Sequence, residues 1–184
     1  MPDRPSSGRN AAGAPLEGRA VGGRPRVQAE SATLRVDGDA VPLGAPGASL
    51  LDVLRASGKY AAKEACGRGE CGACTVLVGD RAVMSCTMLA ALVTDEVTTA
   101  AGLGDAAADL RAAFADHAAF QCGFCTPGQV VRAEAVLRAS VDRSRDEIVR
   151  ELSGNVCRCT GYCQIVDAVC AVAQSRQCSR RDAR

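Results

Sequence analysis

The chain has 184 residues, a formal net charge of +1 and a hydrophobic content of 47%, which suits one medium globular domain or two small ones and gives no electrostatic case for nucleic acid. Aromatic residues make up only 3% and there is no Trp, so alanine and valine must build much of the core, and such a core is marginal without reinforcement. The 11 cysteines are the candidate reinforcement.

Residues 1 to 30 are rich in Gly, Pro, Ala and Arg. Arg4, Arg9, Arg19, Arg24 and Arg26 are set against Asp3, Glu17 and Glu30, and the segment reads as a disordered arm. A transit peptide fits less well, because there is no amphipathic apolar face and acids are present. The start carries no apolar h-region and no twin arginine, and no apolar run is long enough to span a bilayer. With an odd cysteine count, a secreted disulfide framework is disfavoured. The expectation is a cytoplasmic protein whose thiols hold metal, with no membrane insertion.

Structure is expected to begin at ATLRVDGDAVPLG, where Leu34 and Val36 alternate with polar residues and Asp37-Gly38 turns the chain into a hairpin. SLLDVLRASG follows as a short helix, capped by Ser49 with Asp52, burying Leu50, Val53 and Leu54 and ending at Gly58. TVLVGDRAVMSC reads as strand, Gly-Asp turn, strand, and EVTTA as a further strand. Residues 31 to 103 thus form a small α+β domain.

From Asp105 the periodicity becomes helical. DLRAAFADH places Leu110, Ala113, Phe114 and His117 at helical spacing. TPGQVVRAEAVLRAS has Thr126 as expected cap, Pro127 at the first helical position, and Val130, Ala133 and Leu137 on one face. SRDEIVRELSG carries a capping box of Ser144 with Glu147, and QIVDAVCAVA buries Ile165, Val169 and Val172. Residues 104 to 175 therefore read as about four helices, a small bundle. The basic tail, 176 to 184, is expected to fray, with Arg176, Arg180, Arg181 and Arg184 solvated.

Two cysteine sets carry the chemistry. CGRGECGAC and Cys86 give Cys66-x4-Cys71-x2-Cys74, then eleven residues to Cys86, which is the plant-type 2Fe–2S spacing. Gly67, Gly69 and Gly72 let the loop curl and aim N–H groups at sulfur, stabilising the negative charge of a thiolate-bound cluster. The same glycines satisfy G-x-G-x-x-G, but the dinucleotide reading fails because no strand precedes and no helix follows. The second set is Cys122-x2-Cys125, thirty-one residues, then Cys157-x1-Cys159. One pair precedes a helix and the other follows a helix stop, so two loops at one end of a bundle can converge on metal. A four-cysteine zinc site stays open here, although zinc sites usually use C-x2-C on both sides. The single histidine, His117, excludes a Rieske centre. Met84 and Met88 are expected to pack rather than ligate, Cys170 to be buried, and Cys178 to be an exposed free thiol.

The blocks CGRGECGACTVLV, QCGFCTPG and GNVCRCTGY, in that order, resemble the small iron–sulfur subunit of the molybdenum hydroxylases, the xanthine dehydrogenase, aldehyde oxidoreductase and carbon monoxide dehydrogenase family. The resemblance covers roughly residues 32 to 174. It implies a β-grasp ferredoxin domain holding a 2Fe–2S cluster on Cys66, Cys71, Cys74 and Cys86. It also implies a four-helix-bundle domain holding a second on Cys122, Cys125, Cys157 and Cys159. By the same resemblance Gln121 and Cys159 approach the molybdopterin of a large partner subunit, and electrons pass singly through both clusters to FAD on a medium subunit, in a heterotrimer or a dimer of heterotrimers. Substrate chemistry then lies on the partner. Cys163 is a bystander at the start of the last helix. The alternative is a free-standing two-cluster carrier serving a separate reductase.

Overall fold

The computed structural model describes residues 32–182, so the expected disordered arm lies outside the described residues. Strands β1 (Thr33–Val36) and β2 (Asp39–Pro42) pair antiparallel across a two-residue turn. Asp37 and Gly38 both have positive φ, 52° and 85°, as a type I′ hairpin demands. Helix α1 (Leu50–Ala56) starts at the expected capping box, Ser49 with Asp52, and buries Leu51 in addition to Leu50, Val53 and Leu54. Strands β3 (Thr75–Val78) and β4 (Arg81–Met84) form the second hairpin, and β5 (Val97–Thr98) slots between the hairpins, parallel to β1 and antiparallel to β3. The sheet order is β2-β1-β5-β3-β4.

Four helices follow: α2 (Ala108–Asp116), α3 (Thr126–Ala139), α4 (Arg145–Leu152) and α5 (Cys163–Asp182). Their expected faces are buried: Leu110 and Phe114, Val130, Ala133 and Leu137, Ile165, Val169 and Val172. The Ser144–Glu147 capping box is present. Thr126 is not the cap of α3. Cys125 occupies that position without a side-chain hydrogen bond, and Thr126 lies inside the first turn with its hydroxyl buried and unpartnered. His117, set at helical spacing with Leu110 and Phe114, is exposed at the end of α2, and Met84 and Met88 pack at the edge of the sheet core, as expected.

Strand β3 links the two halves. Its period of two sends Val76 and Val78 into the core shared with α1, β1 and Val97, and Leu77 into the core of α2–α5. With both faces covered, all four residues of β3 are buried.

The C-terminal tail departs from expectation. Helix α5 runs on to Asp182, and Arg176 is not solvated: its guanidinium meets Asp109 at 2.7 Å and Glu134 at 2.8 Å. Glu134 is only 3% exposed, and its other partner is Arg138, at 2.9 Å. A buried carboxylate deprived of a guanidinium is costly, so Arg176→Ala should lower stability by about 2 kcal/mol, seen as a midpoint about 4–8 °C lower in a thermal melt. The hydrogen bond from Arg176 also holds the Asp109 carboxyl below its ordinary range. That contribution is present at neutral pH and is lost as acid protonates Asp109 below about pH 4.

Candidate iron–sulfur centres

The first cysteine loop is held by the sheet at one end and by α1 at the other. Ser85 donates its N–H (3.3 Å) and its hydroxyl (2.8 Å) to the Cys74 carbonyl, while Leu51 N–H donates to Ser85 O at 3.0 Å and Leu50 N–H to Met88 O at 2.7 Å. These bonds bring Cys86 beside Cys74, twelve positions away in sequence. Gly67, Gly69 and Gly72 all have positive φ, and the turn they make points N–H groups at sulfur. Arg68 N–H and Glu70 N–H reach Cys66 Sγ at 3.5 and 3.4 Å, and Gly69 N–H reaches Cys86 Sγ at 3.2 Å. Backbone donors at Arg68, Glu70 and Cys71 lower the Cys66 thiol to about 6, whereas burial, with the Cys74 thiol alongside, pushes Cys86 up to about 11.

The second set forms where the loop before α3 meets the loop between α4 and α5. Cys122 Sγ and Cys159 Sγ are 3.6 Å apart, although 37 positions separate them. Two thiolates on one tetrahedral metal with bonds of about 2.3 Å stand about 3.7 Å apart, so this pair suits a shared metal ion. Cys157 neighbours Cys125, and burial followed by that neighbour pushes the Cys125 thiol up to about 12. Burial acts against the Cys157 thiolate, but hydrogen bonds from Thr160, whose hydroxyl lies 3.1 Å from the sulfur, outweigh it and lower the thiol. Cys157 N–H donates to the Tyr162 hydroxyl at 2.9 Å. Cys122 and Cys159 are exposed, as is Gln121.

In each set the thiols lie near one another: Cys66 beside Cys71 and Cys74 beside Cys86 in the first, Cys125 beside Cys157 and Cys122 at 3.6 Å from Cys159 in the second. Four thiols gathered at each site are the donor set a 2Fe–2S cluster takes. All eleven cysteines are free; Cys163 is exposed at the first position of α5, Cys178 is exposed, and Cys170 is half-buried, its sulfur 4.0 Å from Arg145.

Sequence reasoning missed the residues that join the two loops. Val156 N–H donates to Cys71 O at 2.8 Å. The Asn155 carboxamide donates to Gly72 O at 2.9 Å and to Thr75 Oγ at 3.1 Å, and its backbone carbonyl accepts from Gln129 Nε2 at 2.8 Å. The only sequence signal was the position of Asn155, two residues before a candidate ligand.

Sequence models of two families match, one described as a 2Fe-2S iron-sulfur cluster binding domain over residues 34–107 and one as a 2Fe-2S binding domain over 99–170. The chain is 41% identical over 128 residues to the nicotinate dehydrogenase small FeS subunit of Eubacterium barkeri, covering 67% of this chain and 82% of that one. It is 43% identical over 129 residues to the xanthine dehydrogenase iron-sulfur-binding subunit of Escherichia coli O157:H7, covering 67% and 81%. Among solved structures, quinoline 2-oxidoreductase from Pseudomonas putida 86 superposes with a TM-score of 0.72 at 35% identity, covering 79% of this chain and 94% of that one. The aldehyde oxidoreductase of Desulfovibrio desulfuricans ATCC 27774 superposes equally well, with a TM-score of 0.72 at 40% identity, but this chain spans only 17% of its length. A mixed sheet with five helices, two cysteine sets and two matching cluster-domain families lead to one assignment: the chain belongs to the iron–sulfur small subunits of the molybdenum hydroxylase family, that of xanthine dehydrogenase and aldehyde oxidoreductase.

Proposed function

We propose that the chain is the electron-transfer subunit of a multi-subunit molybdenum hydroxylase of the cytoplasm. In this reading a β-grasp ferredoxin domain, 31–103, holds one 2Fe–2S cluster on Cys66, Cys71, Cys74 and Cys86. A four-helix-bundle domain, 104–175, holds the second on Cys122, Cys125, Cys157 and Cys159. When bound, each cluster supplies a one-electron redox centre, and the pair connects molybdopterin on a large subunit with FAD on a medium subunit. The chain's own residues set the ligand positions and direct N–H and O–H donors at sulfur, which favours the more negative, reduced state.

The observation that carries the proposal is the pairing of thiols across long sequence separations, above all Cys122 with Cys159 at 3.6 Å. The side of the second site supports a partner. Phe120 precedes Cys122 and Phe124 lies between Cys122 and Cys125, Val156 and Tyr162 flank Cys157 and Cys159 in sequence, and all four are exposed. Apolar side chains gathered around a reactive centre mark a surface made to be covered. Gln121 and Cys159, exposed in the same place, are the residues we assign to approach the partner's molybdopterin.

The test is low-temperature EPR of the reduced, anaerobically purified chain, with iron, sulfide and zinc measured on the same sample. Two distinct signals with about four iron and four sulfide per chain are expected. A single signal with stoichiometric zinc would mean that one cysteine set holds a structural metal, and the relay would fall. Native mass spectrometry of the chain purified from its source should show two larger partners, whereas a stable monomer active with a separate reductase would sink the subunit assignment.

A further inference from the structure

The contact between the two cysteine loops does more than close an interface. Three donors converge on one carbonyl, Gly72 O: the Thr75 N–H at 3.0 Å, the Thr75 hydroxyl at 2.7 Å and the Asn155 carboxamide at 2.9 Å. Asn155 is 3% exposed and comes from a loop 83 positions away. Its own carbonyl is held by Gln129, itself 1% exposed, from the first turns of α3. On either side of this clamp stand candidate ligands. Cys71 precedes Gly72, Cys157 follows Val156, and the Val156 N–H bonds the Cys71 carbonyl directly at 2.8 Å. A continuous bonded route therefore runs from the Cys71 sulfur through its own carbonyl, across one short hydrogen bond, and along the Val156 backbone to the Cys157 sulfur.

We propose that Asn155 is a positioning residue for electron exchange between the two sites, clamping the loops so that the Cys71–Val156 hydrogen bond stays formed. The inference rests on the two-cluster reading above. The step it serves moves one electron and no proton: the site that loses the electron is oxidised and the other is reduced, and no bond is made or broken. Electronic coupling decays faster through space than through bonds, so a short hydrogen bond between the ligand-bearing loops matters more than equal packing elsewhere. The buried carboxamide suits the task. An amide can donate twice, to Gly72 O and Thr75 Oγ, where an aspartate would set a carboxylate against a carbonyl and a hydrophobic residue would leave both acceptors short of a donor.

The full-length chain carrying Asn155→Ala tests this. Iron and sulfide content establish loading, EPR of the fully reduced protein reads magnetic coupling between the sites as splitting or enhanced spin relaxation, and hydrogen exchange reads the Val156 amide. The expected result is wild-type loading, weakened coupling and Val156 exchange about tenfold faster. A merely structural role would lower the melting temperature and leave the coupling intact. Full loading with coupling and Val156 exchange as in wild type overturns the proposal, as does a wild-type chain that carries both clusters yet shows no coupling. A wild-type chain that fails to bind two clusters instead overturns the two-cluster reading. Should Asn155→Ala not load, Thr75→Val decides, since it removes the hydroxyl that both supports Gly72 O and accepts from Asn155. Weaker coupling in that variant supports the clamp, and unchanged coupling refutes it.

Discussion

Gly72→Ala is expected to destabilise the chain by about 2–5 kcal/mol, the sum of left-handed backbone strain and overpacking in a seam that cannot move aside. Gly72 has φ +69°, and a Cβ there would stand 2.6 Å from the Gly154 carbonyl oxygen and 2.6 Å from Asn155 Cγ. One of these is backbone and the other is a clamped side chain, so neither gives easily. Gly128 approaches from α3 in a complementary way: a Cβ on it would meet the Gly72 carbonyl at 2.5 Å. Gly128→Ala should therefore destabilise too, although alanine is the better helix former by about 1 kcal/mol. Gly67→Ala is the control. Its φ is +68°, almost that of Gly72, but nothing lies within 4 Å of its Cβ position, so only the strain of about 1–2 kcal/mol should appear. Urea unfolding midpoints of the three variants check the prediction. Equal losses in Gly67→Ala and Gly72→Ala would mean that the close approach of the loops has no energetic weight.

That seam marks the boundary of what could be read from sequence. Both hairpins, both capping boxes and most of the buried faces of α1, α2, α3 and α5 were legible, because each depends on residues within a few positions of one another. The cysteine sets could be proposed for the same reason, since cysteine spacing within a loop is local even where the two loops are distant. The missed features couple residues far apart. Arg176 reaches Asp109 and Glu134 across 67 and 42 positions, which turns an apparently solvated basic tail into the last turns of α5. Asn155 reaches Gly72 across 83. Strand β3 was legible as a strand, but its burial on both faces depends on helices that arrive fifty residues later in the chain. Thr126 was misassigned because a Thr-Pro pair is a good cap signal in isolation. Here Cys125 takes the cap position instead, and a side chain facing its partner Cys157 is not free to cap the helix.

Single-cysteine variants should separate ligands from bystanders by a whole cluster. Cys159→Ser and Cys125→Ser are each expected to remove one EPR signal and halve the metal, from about four iron per chain to about two, while the other signal persists. Cys71→Ser should remove the complementary signal. Cys163→Ser is expected to change neither, although Cys163 lies only four residues past Cys159, because it opens α5 as an exposed side chain with no thiol partner in either set. The thiol pairs sharpen the test. In each site the two pairs would hold one iron each, so loss of any one of Cys122, Cys125, Cys157 or Cys159 would leave one iron with a single thiolate, half its protein ligands, and the two-iron unit is expected to be lost. A lone zinc ion behaves differently: three remaining thiolates still bind it, and zinc would persist in the variant at reduced affinity. Iron loss in one step identifies a two-iron centre, and retained zinc identifies a structural site. Should Cys163→Ser abolish a signal in place of Cys159→Ser, the second ligand set would have to be rebuilt around the start of α5, with the exposed Cys159 left as the bystander.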